Sequence, residues 1–174
     1  GAWVKLPTTI ASDDANVTMG TSFLLTSTYR VYKVFGSNVH VATDGVNGNI
    51  QYMVGGSAFT TAVYDSTVIR IYDGNSTPTG IANNNESSLP EFWGGSIGNA
   101  AGEITNFEFT LFDPASTDQW KHCTCSTFYS DTSTEEAHRF AGGRARQLAA
   151  VDGIKFYASS GNITSGYFTL YGLS

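Results

Sequence analysis

Apolar and polar residues alternate along most of the chain, and turn residues break the alternation about every ten positions, as in the half-buried strands of a sandwich or barrel. Tyr29-Arg30-Val31-Tyr32-Lys33-Val34-Phe35 carries β-forming residues throughout and stops at Gly36-Ser37-Asn38. A short strand from Val39 to Ala42 is expected next. The turn dipeptides Asp44-Gly45 and Asn47-Gly48 then lead into Ile50 to Val54, and Gly55-Gly56-Ser57 reverses the chain. Phe59 to Tyr64 and Val68 to Tyr72 read as two strands separated by Asp65-Ser66 and ended by Asp73-Gly74-Asn75. Ser76 to Leu89 is rich in Asn, Ser, Thr, Gly and Pro and reads as a long surface loop, the kind of segment that carries function on a rigid scaffold.

Downstream, Glu103 to Phe112 predicts a strand with Phe107, Phe109 and Leu111 on one face, ended by Asp113-Pro114. Trp120 to Tyr129 predicts another, with Trp120 in the core. The polar stretch Asp131 to Glu136 connects to a strand from about Ala137 to Ala150. A helix over Glu135 to Arg139 is the competing reading, and Gly142-Gly143 would stop it within two turns. Ile154 to Ala158 and Tyr167 to Leu173 predict a closing hairpin around Ser159-Ser160-Gly161-Asn162. Strands that bury one face each stack into two layers, so the expected fold is all-β: an antiparallel β-sandwich of jelly-roll or related Greek-key topology, one domain over residues 1–174. No repeat of fixed period appears, which disfavours solenoids and propellers.

Composition sharpens this picture. Charged residues supply only 14% of the chain, against about a quarter in ordinary soluble domains, so solubility rests on Ser, Thr, Asn and Gly. The net charge of −6 repels phosphate backbones, and no nucleic-acid partner is expected. No apolar run is long enough to span a bilayer, and no basic segment precedes an apolar stretch of signal-peptide type. Membrane insertion is therefore not expected. The opening Gly1-Ala2 fits a cleaved tag, a processed start or a fragment of a longer protein.

Candidate chemistry is sparse. The three histidines, His40, His122 and His138, sit in no local catalytic signature, and the chain lacks a Gly-x-Ser-x-Gly elbow, a phosphate loop and a His-Glu-x-x-His motif. No catalytic residue, metal or cofactor is assigned. Cys123 and Cys125 alternate on one strand and project from the same face, which suits two buried free thiols better than a disulfide between them; His122 points the other way. The acidic pairs Asp13-Asp14 and Glu135-Glu136 read as solvated loop residues, and glycosidase carboxylates would have to come from separate strands.

Six residues are candidate ligand contacts. Phe92 and Trp93, placed just after the long polar segment, offer rings for stacking on a sugar or packing against a subunit. Asn84 and Asn85 offer oxygen ligands in that segment. Arg144 and Arg146 lie on one side of a strand, where they could meet an acidic partner, a neighbouring subunit's carboxylate or an anionic sugar.

The closing segment, Val151 to Leu173, resembles the end of domains found in phage tail fibres and other virion structural proteins, most specifically in Gly166-Tyr167-Phe168-Thr169-Leu170-Tyr171-Gly172-Leu173. Tyr29 to Val34, Ala42-Thr43-Asp44-Gly45, Glu103-Ile104 and Phe109 to Pro114 are similar to that family's first core strand, its turn and its middle strand. The Cys-x-Cys strand and the Asn-rich segment depart from the pattern. The resemblance implies a non-enzymatic sandwich domain on the virion, in a tail fibre, appendage or capsid exterior. It also implies a homotrimer that contacts other virion proteins or host surface polysaccharide. Capsid decoration without a ligand and polysaccharide degradation are the competing expectations.

Overall fold

The computed structural model describes residues 1–20 and 25–173. It is an all-β, antiparallel sandwich. The strands are β1 (Trp3–Asp14), β2 (Val17–Met19), β3 (Val31–Val41), β4 (Val46–Val54), β5 (Ser57–Ala58), β6 (Tyr64–Tyr72), β7 (Asn75–Glu86), β8 (Leu89–Ile97), β9 (Thr105–Phe112), β10 (Lys121–Ser130), β11 (Glu136–Ala145), β12 (Gly153–Ala158) and β13 (Ile163–Leu173). The large sheet runs β1-β13-β3-β9-β10-β11-β6-β7, and the small sheet runs β2-β12-β4-β5 with β8 also on β4. Only β4–β5, β6–β7, β9–β10 and β10–β11 join sequence neighbours within a sheet; every other connection crosses between layers.

Several elements differ from their sequence reading, each for a physical reason. The segment expected to be a loop from Ser76 is the edge strand β7, paired with β6 and exposed on both faces except near Ile81 and Asn83. An edge strand that buries almost nothing needs no apolar alternation and tolerates Pro78. Asp65-Ser66 is not a turn but lies inside β6. Gly36-Ser37-Asn38 does not end a strand: β3 continues through it with a register shift against β9, and Asn38 takes a φ of 52°. β12 and β13 form no hairpin, because β12 pairs with β2 and β4 while β13 pairs with β1 and β3. Residues 159–162 thus arch from one layer to the other. The reading of Glu135 to Arg139 as a helix gives way to β11.

Rings fill the space between the sheets and press onto glycine. Phe107 stacks on Phe156 at 5.4 Å and meets Phe168 and Trp93 at 5.8 and 5.7 Å. A Cβ on Gly36 would fall within the Phe107 ring, and one on Gly48 within the Trp93 indole. β8 is tied to the large sheet by Arg139 of β11, which is wholly buried. Its Nε donates to the Tyr129 hydroxyl at 2.7 Å, its Nη1 to Glu91 Oε2 at 2.9 Å and its Nη2 to the Gly95 carbonyl at 3.3 Å. A buried cation so fully paired escapes the penalty of isolated charge burial.

The ring-on-glycine contact makes a direct prediction. Gly36→Ala should lower unfolding stability by about 3 kcal/mol through overpacking, read as a lower urea midpoint at unchanged slope. Gly80→Ala, where an added Cβ meets nothing within 4 Å, should stay within about 0.5 kcal/mol of the parent.

Candidate functional site

The large sheet turns one face to the core and the other outward, and the outward face is the candidate site. Strand register sorts its side chains into rows that run across the strands. One row joins Phe112, His122, Arg144 and Asp65 from β9, β10, β11 and β6. The next row joins Thr110, Thr124, Gly142, Thr67 and Ala82, all small. A third row joins Glu108, Ser126, Phe140 and Ile69. Small residues between two rows of larger ones make a trough across five strands, about 19 Å long at a strand spacing of about 4.8 Å. Two adjoining hollows of about 500 and 480 Å3 lie along it, sharing Thr67, Thr124 and Gly142.

One wall is mostly polar and strongly ordered. Asp65 Oδ2 accepts from Arg144 Nε at 2.9 Å and lies 3.0 Å from Arg146 Nε, while Asp65 Oδ1 accepts from the Asn85 amide at 3.1 Å. That amide, followed by the two guanidinium groups, holds the Asp65 carboxyl below its usual range. The Asn85 side chain also takes a hydrogen bond from Arg146. A bulge in β7 opposite Asp65, with Asn85 at a φ of 59°, delivers this amide and turns Asn84 toward the trough. The Arg144 guanidinium lies 5.0 Å from the Trp120 ring centroid.

Trp120 is held there by its neighbour. Lys121 is fully buried at the start of β10 and donates to the Ser116 and Gln119 carbonyls at 2.6 and 2.7 Å. Burial lowers its ammonium pKa, opposed by Asp113 and Asp118. The opposite wall is mixed, polar at Glu108 and Ser126 and apolar at its other end, where Phe140 and Ile69 are each about half exposed and Phe140 lies 4.3 Å from the His138 ring.

Of the six ligand contacts expected from the sequence, the structure gathers four. Asn84 and Arg144 line the trough, and Asn85 and Arg146 brace its Asp65 corner. Phe92 and Trp93 are not surface rings: both are at zero exposure in the core. Positive φ at Glu91, Gly94 and Ser96 twists β8 so that consecutive residues both face inward, and Trp93 Nε1 donates to the Asn49 carbonyl at 2.9 Å. Trp120, expected in the core, is instead 44% exposed because it precedes the first paired residue of β10. Asp65, Thr67, Gly142 and Phe112 escaped the sequence reading, and the only signal for them was their equal spacing on strands whose pairing the sequence does not state.

Cys123 and Cys125 are free, buried thiols on the inner side of this sheet. Burial pushes the Cys125 thiol up from its ordinary value near 9 to about 12, and the Cys123 thiol beyond that. Compared with models of protein families, with curated proteins and with solved structures, the chain finds no match.

The thiols give a pH prediction. Above about pH 9 the unfolded thiols lose protons that the folded ones keep, so the unfolded state binds fewer protons and stability falls as pH rises. The expected slope between pH 9 and the folded value is roughly 1 kcal/mol per pH unit for each thiol. Denaturant midpoints measured across that range should fall in the parent and fall less steeply in Cys125→Ser. A flat profile in the parent would contradict the burial of these groups.

Proposed function

We propose that the chain is a non-enzymatic binding domain of a virion appendage, such as a phage tail fibre, whose outer trough takes an extended glycan from the host surface. The observation that carries this reading is the pair Gly142-Gly143. Gly143 faces inward, where a Cβ would stand 2.7 Å from Leu89 and 2.9 Å from Phe92, so the core requires glycine there. Gly142 faces outward, where a Cβ would meet nothing closer than Thr67 Oγ1 at 3.9 Å. Glycine inside a strand weakens it and often marks a bulge, a tight bend or close approach by a ligand or another backbone, and β11 pairs on both sides here without a shift of register. The fold has no need of glycine at 142, but a ligand lying on the strand backbone does.

Hydroxyl-bearing Thr67 and Thr124 on the floor, Phe112 and Phe140 on opposite walls, and a fixed Arg144–Asp65 pair match what a sugar chain offers: apolar ring faces and hydroxyl edges. Asp65 itself is poorly suited to serve as the acid of a glycosidase. A glycosidase needs a carboxylic acid with a raised pKa, whereas Asp65 is lowered and committed to two arginines. In a homotrimer three such troughs would act together, so modest single-site affinity suffices.

A second reading rests on a different observation. Phe140 and Ile69 of the trough's mixed wall, with Phe128 and Ile71 in the next row, are exposed side by side, as a subunit or another virion protein would cover them. Sedimentation of the isolated chain tests it: an oligomer that dissociates on Phe128→Ser favours assembly through this slope, and a monomer at all concentrations removes it.

The glycan reading is tested by arraying the chain against bacterial surface polysaccharides beside Gly142→Gln. The variant should fold with equal or higher melting temperature and lose binding at least about tenfold, since its side chain fills the floor. Equal binding by the two proteins would remove the trough as the site.

A further inference from the structure

Charge is distributed unevenly along the trough. Resting on the reading of the trough as a glycan site, we infer that the sugar chain it takes carries an acid group, carboxylate or sulfate, that docks on the outward edge of Arg144. Asp65 meets two guanidiniums with one carboxylate, which leaves one positive charge at this corner of a chain whose formal net charge is −6. Lys33 with Glu108, a second charged pair on this face, is balanced.

Arg144 is also poised for a ligand. Its Nε is engaged by Asp65, and among the described residues Nη1 and Nη2 make no hydrogen bond, while its side chain is 42% exposed. The guanidinium plane is held from one side by the carboxylate and from another by Trp120, so its rotamer freedom is already reduced before any ligand arrives. A planar fork fixed in this way, with both terminal nitrogens free, suits two parallel hydrogen bonds to an acid group. Phe112 and His122 stand beside it in the same row and would border the sugar that bears the acid.

The experiment is isothermal titration of the intact chain with tetragalacturonate, with its methyl ester and with a sulfated tetrasaccharide, repeated with Arg144→Gln and Arg144→Lys. Tetragalacturonate should bind at least about tenfold tighter than its ester, the margin of a charge-assisted hydrogen-bond pair, and the margin should shrink with added salt. Arg144→Gln should bring acid and ester level, and Arg144→Lys should restore salt dependence without the full margin. Preference for the sulfated chain over the ester, with tetragalacturonate no better than the ester, supports the inference with sulfate as the acid. Equal affinity for ester, carboxylate and sulfate overturns it and leaves the trough reading standing. Failure of all three sugars to bind the parent overturns both. Thermal melts of the two variants separate loss of the fork from loss of the fold.

Discussion

Everything in this sandwich depends on aromatic rings being allowed to lie directly on strand backbone. Phe107 sits where the two layers meet, in contact with Trp93, Phe156 and Phe168, and it fits because β3 presents Gly36 beneath it. Trp93 does the same over Gly48 of β4. Stacked sheets normally stand about 10 Å apart, and a ring needs one side of that gap cleared of Cβ atoms to lie flat within it. The glycines clear it. The rings then bury large apolar areas and add aromatic contacts of about 1 kcal/mol each beyond that burial.

Two buried cations complete the frame. Arg139 spans from β11 to the twisted strand β8, meeting Glu91, Gly95 and Tyr129 together, and fixes how β8 crosses the large sheet. Lys121 gathers the carbonyls of the preceding turn and so fixes where Trp120 stands. Both are polar devices inside an apolar core, and both act on segments where strand pairing alone is weak: β8 shifts register against β4 twice, and residues 113–120 belong to no strand. Hydrogen bonding substitutes there for the ladder.

What the sequence made legible follows from how each strand is buried. β9 and β10 bury one face and expose the other, so the alternation of Phe107, Phe109 and Leu111, or of Cys123 and Cys125, reads directly. β8 is twisted so that consecutive residues are buried and β7 buries almost none, so neither alternates, and one looked like the approach to a surface site while the other looked like a loop. The closing arch resembled a hairpin because Ser159 to Asn162 satisfies the same turn chemistry whether the chain returns to its own layer or crosses to the other. For the site, Arg144, Arg146, Asn84 and Asn85 were visible as unusual residues. Asp65, which joins them, was not, since it lies 79 positions from Arg144 and only the β11–β6 register brings the two opposite each other.

That same register explains how the outer face acquires an ordered set of side chains without any loop. Core packing dictates the inward positions of β6, β10 and β11, but alternation leaves every second residue free of that demand. On the free positions stand Thr67, Thr124 and Gly142 in one line, with Asp65, His122 and Arg144 in the line beside it. A site written on paired strands inherits the rigidity of the sheet, so little order remains to be imposed when a ligand binds. The inner face must keep glycine at 143 to admit Leu89 and Phe92, whereas the outer face keeps glycine at 142 with open space above it. Two adjacent glycines on one strand thus meet different surroundings: one is pressed by the protein's own core, and the other opens onto the trough.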